Sequence, residues 1–327
     1  MLGPLKGRFN GGASDFPWKN TNCLEAWAEV LKWDYAGPPY PSANELSSYR
    51  YVIANSSSWL VPSLTMLAAH RQPHQTWITL IEGAAEDYFE QIALIQNLLN
   101  ASNLVISINR RTLPFWRSIT STRVENIGIP YPLDYVSAFQ TPFDSRNDEV
   151  LVAPRAGAGP SAIVAQSVGG GVVYAERMAR TPKSILKTKK TGVRLRRHNM
   201  DIRRGALGEN GLEYRFELPL TEFYTQAGKM SFWVNLDPRH TWARFVLDGA
   251  ALGMPQIATA STDHAQHLYP DTTVDTPLDL ERACALAARL KTDSQFRRHV
   301  SETAARQIRN YELMQSERML REFIALG

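Results

Sequence analysis

The chain has 327 residues, of which 44% are hydrophobic and 21% charged. That composition excludes disordered and fibrous classes and suits two globular domains of roughly 100 to 200 residues each. Net charge is only +4, but the pI of about 9.0 and the uneven placement of the positive charge are more informative than that total.

Taken from the N-terminus, "MLGPLKGRFNGG" is short and glycine-rich where a first apolar strand would be expected, and Met1 to Asn10 lacks a signal-peptide layout. "YRYVIANSSSWL", "TWITLIEG" and "NLVISIN" are rich in β-branched and aromatic residues and open into Ser, Gly or Asn, so they read as strands. Between them, "PSLTMLAAHRQ" and "EDYFEQIALIQNLLNAS" repeat apolar residues three and four apart and read as helices. Alternation of this kind implies parallel pairing in an open α/β sheet, whose ligands bind at the carboxyl ends of the strands.

"IGIPYPLDYVSAFQTPFDSRNDE" carries Pro130, Pro132 and Pro142 before a polar run and reads as the linker between domains. Alternation then restarts with "EVLVAPR", "VRLRRHN" and "LEYRFELP" as strands and "LTEFYTQAGK" as a helix. Next, "FWVNLDPRHTWARFVLDGAALGMPQIATA" compresses strand, helix and strand around Gly253 and Pro255. The last part is helical in period, with a break near Lys291 to Ser294. The expected fold class is therefore α/β, with units at 1–140 and 141–305 and a closing helix over 306–327.

Residues 183–204 hold Lys183, Lys187, Lys189, Lys190, Arg194, Arg196, Arg197, Arg203 and Arg204 against one acid, Asp201. Such a field suits phosphate groups or a polyanion; a solvated surface is the bland alternative. Cys23 and Cys284 have no His or Cys at ligand spacing and read as free thiols. No apolar stretch approaches the roughly 18 residues of a membrane span, and a cytoplasmic protein is expected. There is no acidic pair after a strand and no metal-spaced His/Cys/carboxylate cluster, so no metal requirement is expected.

The compressed unit resembles the donor-binding segment of the family-four group of nucleotide-sugar glycosyltransferases. "RVENIGIPYPLD" is similar to the strand that leaves that group's first domain, and "LEYRFELPLTEFYTQAGKMSFWVNL" to the elements preceding its donor site. The resemblance implies the GT-B layout, two Rossmann-like open parallel-sheet domains facing a cleft, with transfer from a UDP- or GDP-sugar to an acceptor hydroxyl. Where the group has two glutamates eight residues apart, this chain has His240 and Asp248. Asp248 is then expected at a ribose diol, and His240 at a phosphate or sugar hydroxyl. Thr262, Asp263 and the neighbouring His264 fall on the loop expected to touch sugar and phosphate, and Gly11 and Gly12 resemble an acceptor-side glycine pair.

Transfer also needs positive charge at the departing diphosphate, and an inverting reaction needs a carboxylate to take the acceptor proton. Arg155, Lys183, Arg196, Arg197 and His198 are candidates for the first, with Gly157 and Gly159 letting backbone N–H groups approach phosphate. Glu82, at the end of "TWITLIEG", and Asp15, after the glycine pair, are candidates for the second. His70 and His74 flank a helix end and read as structural. A basic two-domain enzyme suits DNA as acceptor, as in phage enzymes that glycosylate hydroxymethylated bases, with Trp18, Trp59 and Trp116 as stacking candidates. Envelope polysaccharide or glycolipid synthesis, a sugar-nucleotide epimerase, and an inactive GT-B nucleic-acid-binding protein are the alternatives.

Overall fold

The computed structural model describes residues 1–2, 8–9, 24, 27–28, 31–57, 60–81, 84–153, 158–175, 206–207, 212–216, 218–262, 264–309 and 313–325. Its elements begin with β1 (Arg8–Phe9), β2 (Tyr35–Ala36), α1 (Ala43–Leu46), β3 (Tyr51–Asn55), α2 (Val61–Ala69) and β4 (Thr76–Ile81). A 3-10 segment (Ala85–Gln91), α3 (Ile92–Ala101), β5 (Leu104–Ser107), α4 (Leu113–Ile119) and β6 (Arg123–Asn126) complete the first sheet, and α5 (Leu133–Ser137) lies beyond it. The second half runs through β7 (Val150–Val152), α6 (Ala158–Gln166), β8 (Gly171–Ala175), β9 (Ala206–Leu207), β10 (Leu212–Phe216), α7 (Leu220–Ala227) and β11 (Phe232–Asn235). It continues with α8 (Arg244–Ala251), β12 (Gln256–Thr259), α9 (Ala265–Leu268), β13 (Thr273–Val274), α10 (Leu280–Thr292), α11 (Ser294–Ile308) and α12 (Leu313–Ala325).

In the first sheet β3, β4, β5 and β6 lie side by side and parallel. The missing opening strand is Leu2, which bridges in parallel to both Ala36 and Ala54. Its N–H donates to the Ile53 carbonyl at 2.7 Å and its carbonyl accepts from Asn55 N at 2.9 Å. The sequence around Leu2, "MLGPLKG", has no run of alternating apolar positions, which is why the sequence pattern does not show this pairing.

Period-two alternation explains the layering. Ile53, Ile78, Leu80, Leu104 and Ile106 face one core with Leu24, Trp27 and Leu31. Val52, Ala54, Trp77, Ile81 and Val105 face the other, under Leu64 and Ala68 of α2 and Leu98 and Leu99 of α3. Both faces are covered, as a parallel sheet requires.

The second sheet has the order β13-β12-β11-β7-β8-β10-β9, parallel throughout except for the antiparallel edge pair β9 and β10. Without that edge strand this is the doubly wound order, which reverses between β7 and β11; such a reversal opens the crevice in which these sheets bind ligands. Sequence periodicity misses α6 and β8, which lie between "EVLVAPR" and the basic stretch; the strand expected at "VRLRRHN" lies outside the described residues. The helix break falls at Asp293, whose side chain caps α11 by accepting from Phe296 N at 2.9 Å. Leu320 of α12 is fully buried in the large apolar cluster that runs through both halves.

Candidate active-site cleft

Loops from the carboxyl ends of both sheets meet. After β5, the buried Asn109 accepts from Arg111 N at 2.9 Å, capping the turn that leads into α4. Its amide nitrogen donates to the Thr241 carbonyl at 3.0 Å and the Ser261 carbonyl at 3.2 Å, on the loops after β11 and β12. Arg111 reaches Gln266 of α9 at 3.2 Å. From the segment after β4, Glu86 lies 3.2 Å from Nδ1 of His240, both side chains about two-fifths exposed (44% and 38%).

The loop 236–243 is tightly held. Its Leu236 N–H donates to the buried Ser161 hydroxyl of α6 at 2.9 Å. Asp237 accepts from Arg239 N at 3.0 Å, the local turn that an Asp-Pro pair favours, and grips the Arg239 guanidinium through both oxygens at 3.1 and 2.9 Å. Asp237, with smaller contributions from Asp87 and Glu86, holds the Arg239 guanidinium above its ordinary range against the cost of burial. The Asp237 carbonyl accepts from the Thr259 and Ser261 hydroxyls. Ala243 enters α8 with φ +53°, a left-handed conformation unusual for a residue with a side chain.

Asp248 does not point into open solvent. It is buried, accepts from the Tyr131 phenol at 2.7 Å, and has Arg244 Nε at 3.6 Å one helical turn back. Arg244 in turn donates to the Tyr224 hydroxyl at 3.3 Å. Burial raises the Asp248 carboxyl above the usual carboxylate range, opposed by Arg244 and the two phenols. Burial, then the Asp248 charge, raises Tyr131, which keeps it a donor. Against this cluster lies Trp242, edge-on to Tyr131 at 6.3 Å and to His264 at 5.8 Å. His264 is buried, and desolvation, with Arg110 and His267 nearby, lowers it to about 3, so the ring is neutral. The Trp242 indole N–H has no partner among the described residues.

Of the candidates read from the sequence, His240 and the His264 loop come to the cleft, and Asp248 is buried against Tyr131 and Arg244. Thr262 is buried, its hydroxyl donating to the Thr259 carbonyl at 2.8 Å. Gly159 is in the first turn of α6, exposed, with open space where a side chain would stand, so packing does not require glycine there. Trp116 is a core residue, 1% exposed and edge-on to Tyr88 and Phe115, which removes it as a stacking surface. His74 bonds the Ser47 carbonyl at 2.9 Å, a structural contact. Gly11, Gly12, Asp15, Trp18, Trp59, Glu82, Arg155, Gly157, Lys183, Arg196, Arg197, His198 and Asp263 lie outside the described residues. Sequence reasoning missed Glu86, Asn109, Tyr131, Asp237, Arg239 and Arg244. Asn109 and Asp237, each just past a strand end, carried the one signal that points to a cleft.

Among the described residues no group of three or more His, Cys, Asp or Glu side chains is placed to hold a metal ion, and no helix is long and apolar enough to cross a membrane. No family model matches the sequence, and no curated protein matches it. Solved structures do match in shape. TarM aligns over 91% of this chain at TM-score 0.64 and 9% identity, although the chain spans only 59% of TarM. An alpha-glucosyltransferase in complex with UDP and a 13-mer DNA containing an HMU base aligns over 89% of this chain and 84% of its own, at TM-score 0.57 and 12% identity. The E. coli structure described as trehalose-6-phosphate bound with UDP-2-fluoro glucose covers 86% of this chain and 75% of its own, at TM-score 0.62 and 11% identity. Two parallel-sheet domains meeting at their carboxyl edges, with these neighbours, give the chain the fold of the GT-B glycosyltransferases.

Proposed function

We propose that this protein transfers a sugar from a nucleoside-diphosphate sugar, of uridine or guanosine, to an acceptor hydroxyl. The observation that carries the reading is the convergence of loops after β4, β5, β11 and β12 on one cleft of a GT-B fold. The neighbours' structures contain UDP or a UDP-sugar analogue, and the donor is proposed to bind the second half, taken as residues 141–305. Its diphosphate is assigned to the start of α6 at the β7–β11 switch point, where Gly159 leaves open space and Arg155 and Gly157 precede the helix. Asp248 acts in this reading on the pocket wall, through Tyr131 and Arg244, rather than on the ribose. The first 140 residues are assigned to the acceptor, and 306–327 to closing the two halves together.

The acceptor we favour is a hydroxymethylated DNA base. The cationic run 183–204 supplies charge for phosphates, and a neighbour of the same fold is bound to DNA carrying an HMU base. Chemistry by charged side chains, the helix start and His240 requires no divalent metal, so chelator leaves the rate unchanged. Incubating the protein with UDP- and GDP-sugars, with and without duplexes containing hydroxymethylated pyrimidines, tests this. Acceptor-dependent release of nucleoside diphosphate is the expected result. Its absence for every sugar sinks the transferase reading in favour of a nucleic-acid-binding GT-B protein; release with other acceptors alone sinks the DNA assignment.

A further inference from the structure

Glu86 and His240 come from opposite halves, 154 positions apart, and meet with Glu86 Oε1 3.2 Å from His240 Nδ1. Their neighbours are already committed. Asp87, beside Glu86, is turned back on its own segment, accepting from Ala84 N at 3.3 Å. Arg239, beside His240, is held through two bonds by Asp237. Among the described residues the charged groups beside the pair are Asp87, Asp237 and Arg239; Arg239 is hydrogen-bonded by Asp237 and acts on Glu86 and Asp87 only through space, while Glu86 is the carboxylate within hydrogen-bond distance of the imidazole. The His240 backbone is fixed on both sides, by the Thr241 N–H to Arg239 carbonyl bond at 3.0 Å and by Asn109 on the Thr241 carbonyl.

A carboxylate on Nδ1 orients an imidazole and settles its tautomer, with the proton on Nδ1 and the lone pair on Nε2. Both side chains are about two-fifths exposed, so a hydroxyl has access. The geometry points to His240 as the base for the acceptor, acting through Nε2, and to Glu86 as the positioning residue that holds it from the other domain; this rests on the transfer reading above. The acceptor oxygen bonds to the anomeric carbon while that carbon's bond to the diphosphate oxygen breaks, its electron pair staying with the departing nucleoside diphosphate. The acceptor proton passes to Nε2, and the imidazolium formed is paired with Glu86. A proton taken this way is worth about a hundredfold or more in rate. The base thus stands on the donor-side loop, at the place where the resemblance led to a glutamate.

The test uses the full chain with sugar nucleotide and hydroxymethylated duplex, reading kcat, donor KM and the pH profile of kcat/KM. His240→Gln is expected to lower kcat about a hundredfold and to abolish the decline in rate at acid pH, with donor KM nearly unchanged. Glu86→Gln is expected to lower kcat about tenfold or more, and Glu86→Asp to recover part of it. A rise in Tm on adding the donor reports that each variant is folded and binds. Unchanged kcat in both variants of an active enzyme, or a change in KM alone, overturns the pair and leaves the transferase reading standing. Wild-type protein that turns over no sugar nucleotide overturns both.

Discussion

The Tyr131 phenol donates to the Asp248 carboxylate at 2.7 Å across 117 positions of sequence, fastening the segment that leaves the first sheet to helix α8 of the second. The bond is fully buried, with Arg244 on the same carboxylate oxygen at 3.6 Å. Tyr131→Phe removes one donor and is expected to cost about 1 to 3 kcal/mol. Asp248→Ala leaves the Arg244 guanidinium without its acid and is expected to cost more, roughly 3 to 5 kcal/mol. Urea unfolding of the two variants and the wild type checks both, with a lower midpoint at unchanged slope as the expected signature.

Asn109 is a second tie between the halves. Asn109→Ala removes the donor to two carbonyls, Thr241 and Ser261, together with the cap on Arg111. The expected loss is about 2 to 3 kcal/mol. Because the bonds removed cross the cleft, small-angle scattering is expected to show a larger radius of gyration at native conditions. An unchanged radius would show that the other cross-cleft contacts suffice to keep the halves together.

His264 makes stability fall in acid. An unfolded imidazole titrates near 6.5, whereas burial lowers the folded group to about 3. Below pH ~6.5 the unfolded chain therefore binds one more proton than the folded one, so stability present above that pH is lost as pH falls towards the folded value. The slope approaches about 1.4 kcal/mol per pH unit. In His264→Gln this contribution to the slope between pH ~6 and ~4 disappears, measurable by denaturant titration at each pH.

Gly249 is required by packing. A methyl group there would stand 2.8 Å from Gln256 Oε1, 3.0 Å from the Tyr269 hydroxyl and 3.2 Å from Trp233 Cε3. All three residues are fully buried. Gly249→Ala is expected to destabilise by about 1 to 3 kcal/mol through overpacking, despite the better helix propensity of alanine. A calorimetric Tm below that of the wild type checks it.

Much of the architecture is legible in the sequence because the strands that build both sheets are buried on two faces and read as continuous apolar runs, as in Tyr51–Asn55, Thr76–Ile81 and Phe232–Asn235. The weak elements escape for a physical reason. Leu2 pairs within a short glycine- and proline-containing stretch that has no apolar alternation, and helix α6, "AGPSAIVAQ", mixes small residues without a sharp apolar stripe. The compressed segment forms the strand, helix and strand that its pattern indicates, yet periodicity does not fix which way Asp248 faces. That depends on Tyr131 and Tyr224, far away in sequence. Glu86 and Asn109 likewise acquire their partners only when the two halves meet.

The Asn109, Arg111 and Glu86 contacts all cross the cleft, and all belong to loops at the edges where a ligand would enter. A molecule so joined greets its substrate with its door latched. If the proposed transfer reading holds, arrival of a sugar nucleotide is governed by how often those hydrogen bonds open together, and the observed association rate is expected to saturate at that opening frequency instead of rising with concentration. Cutting one latch would speed capture and loosen retention at once.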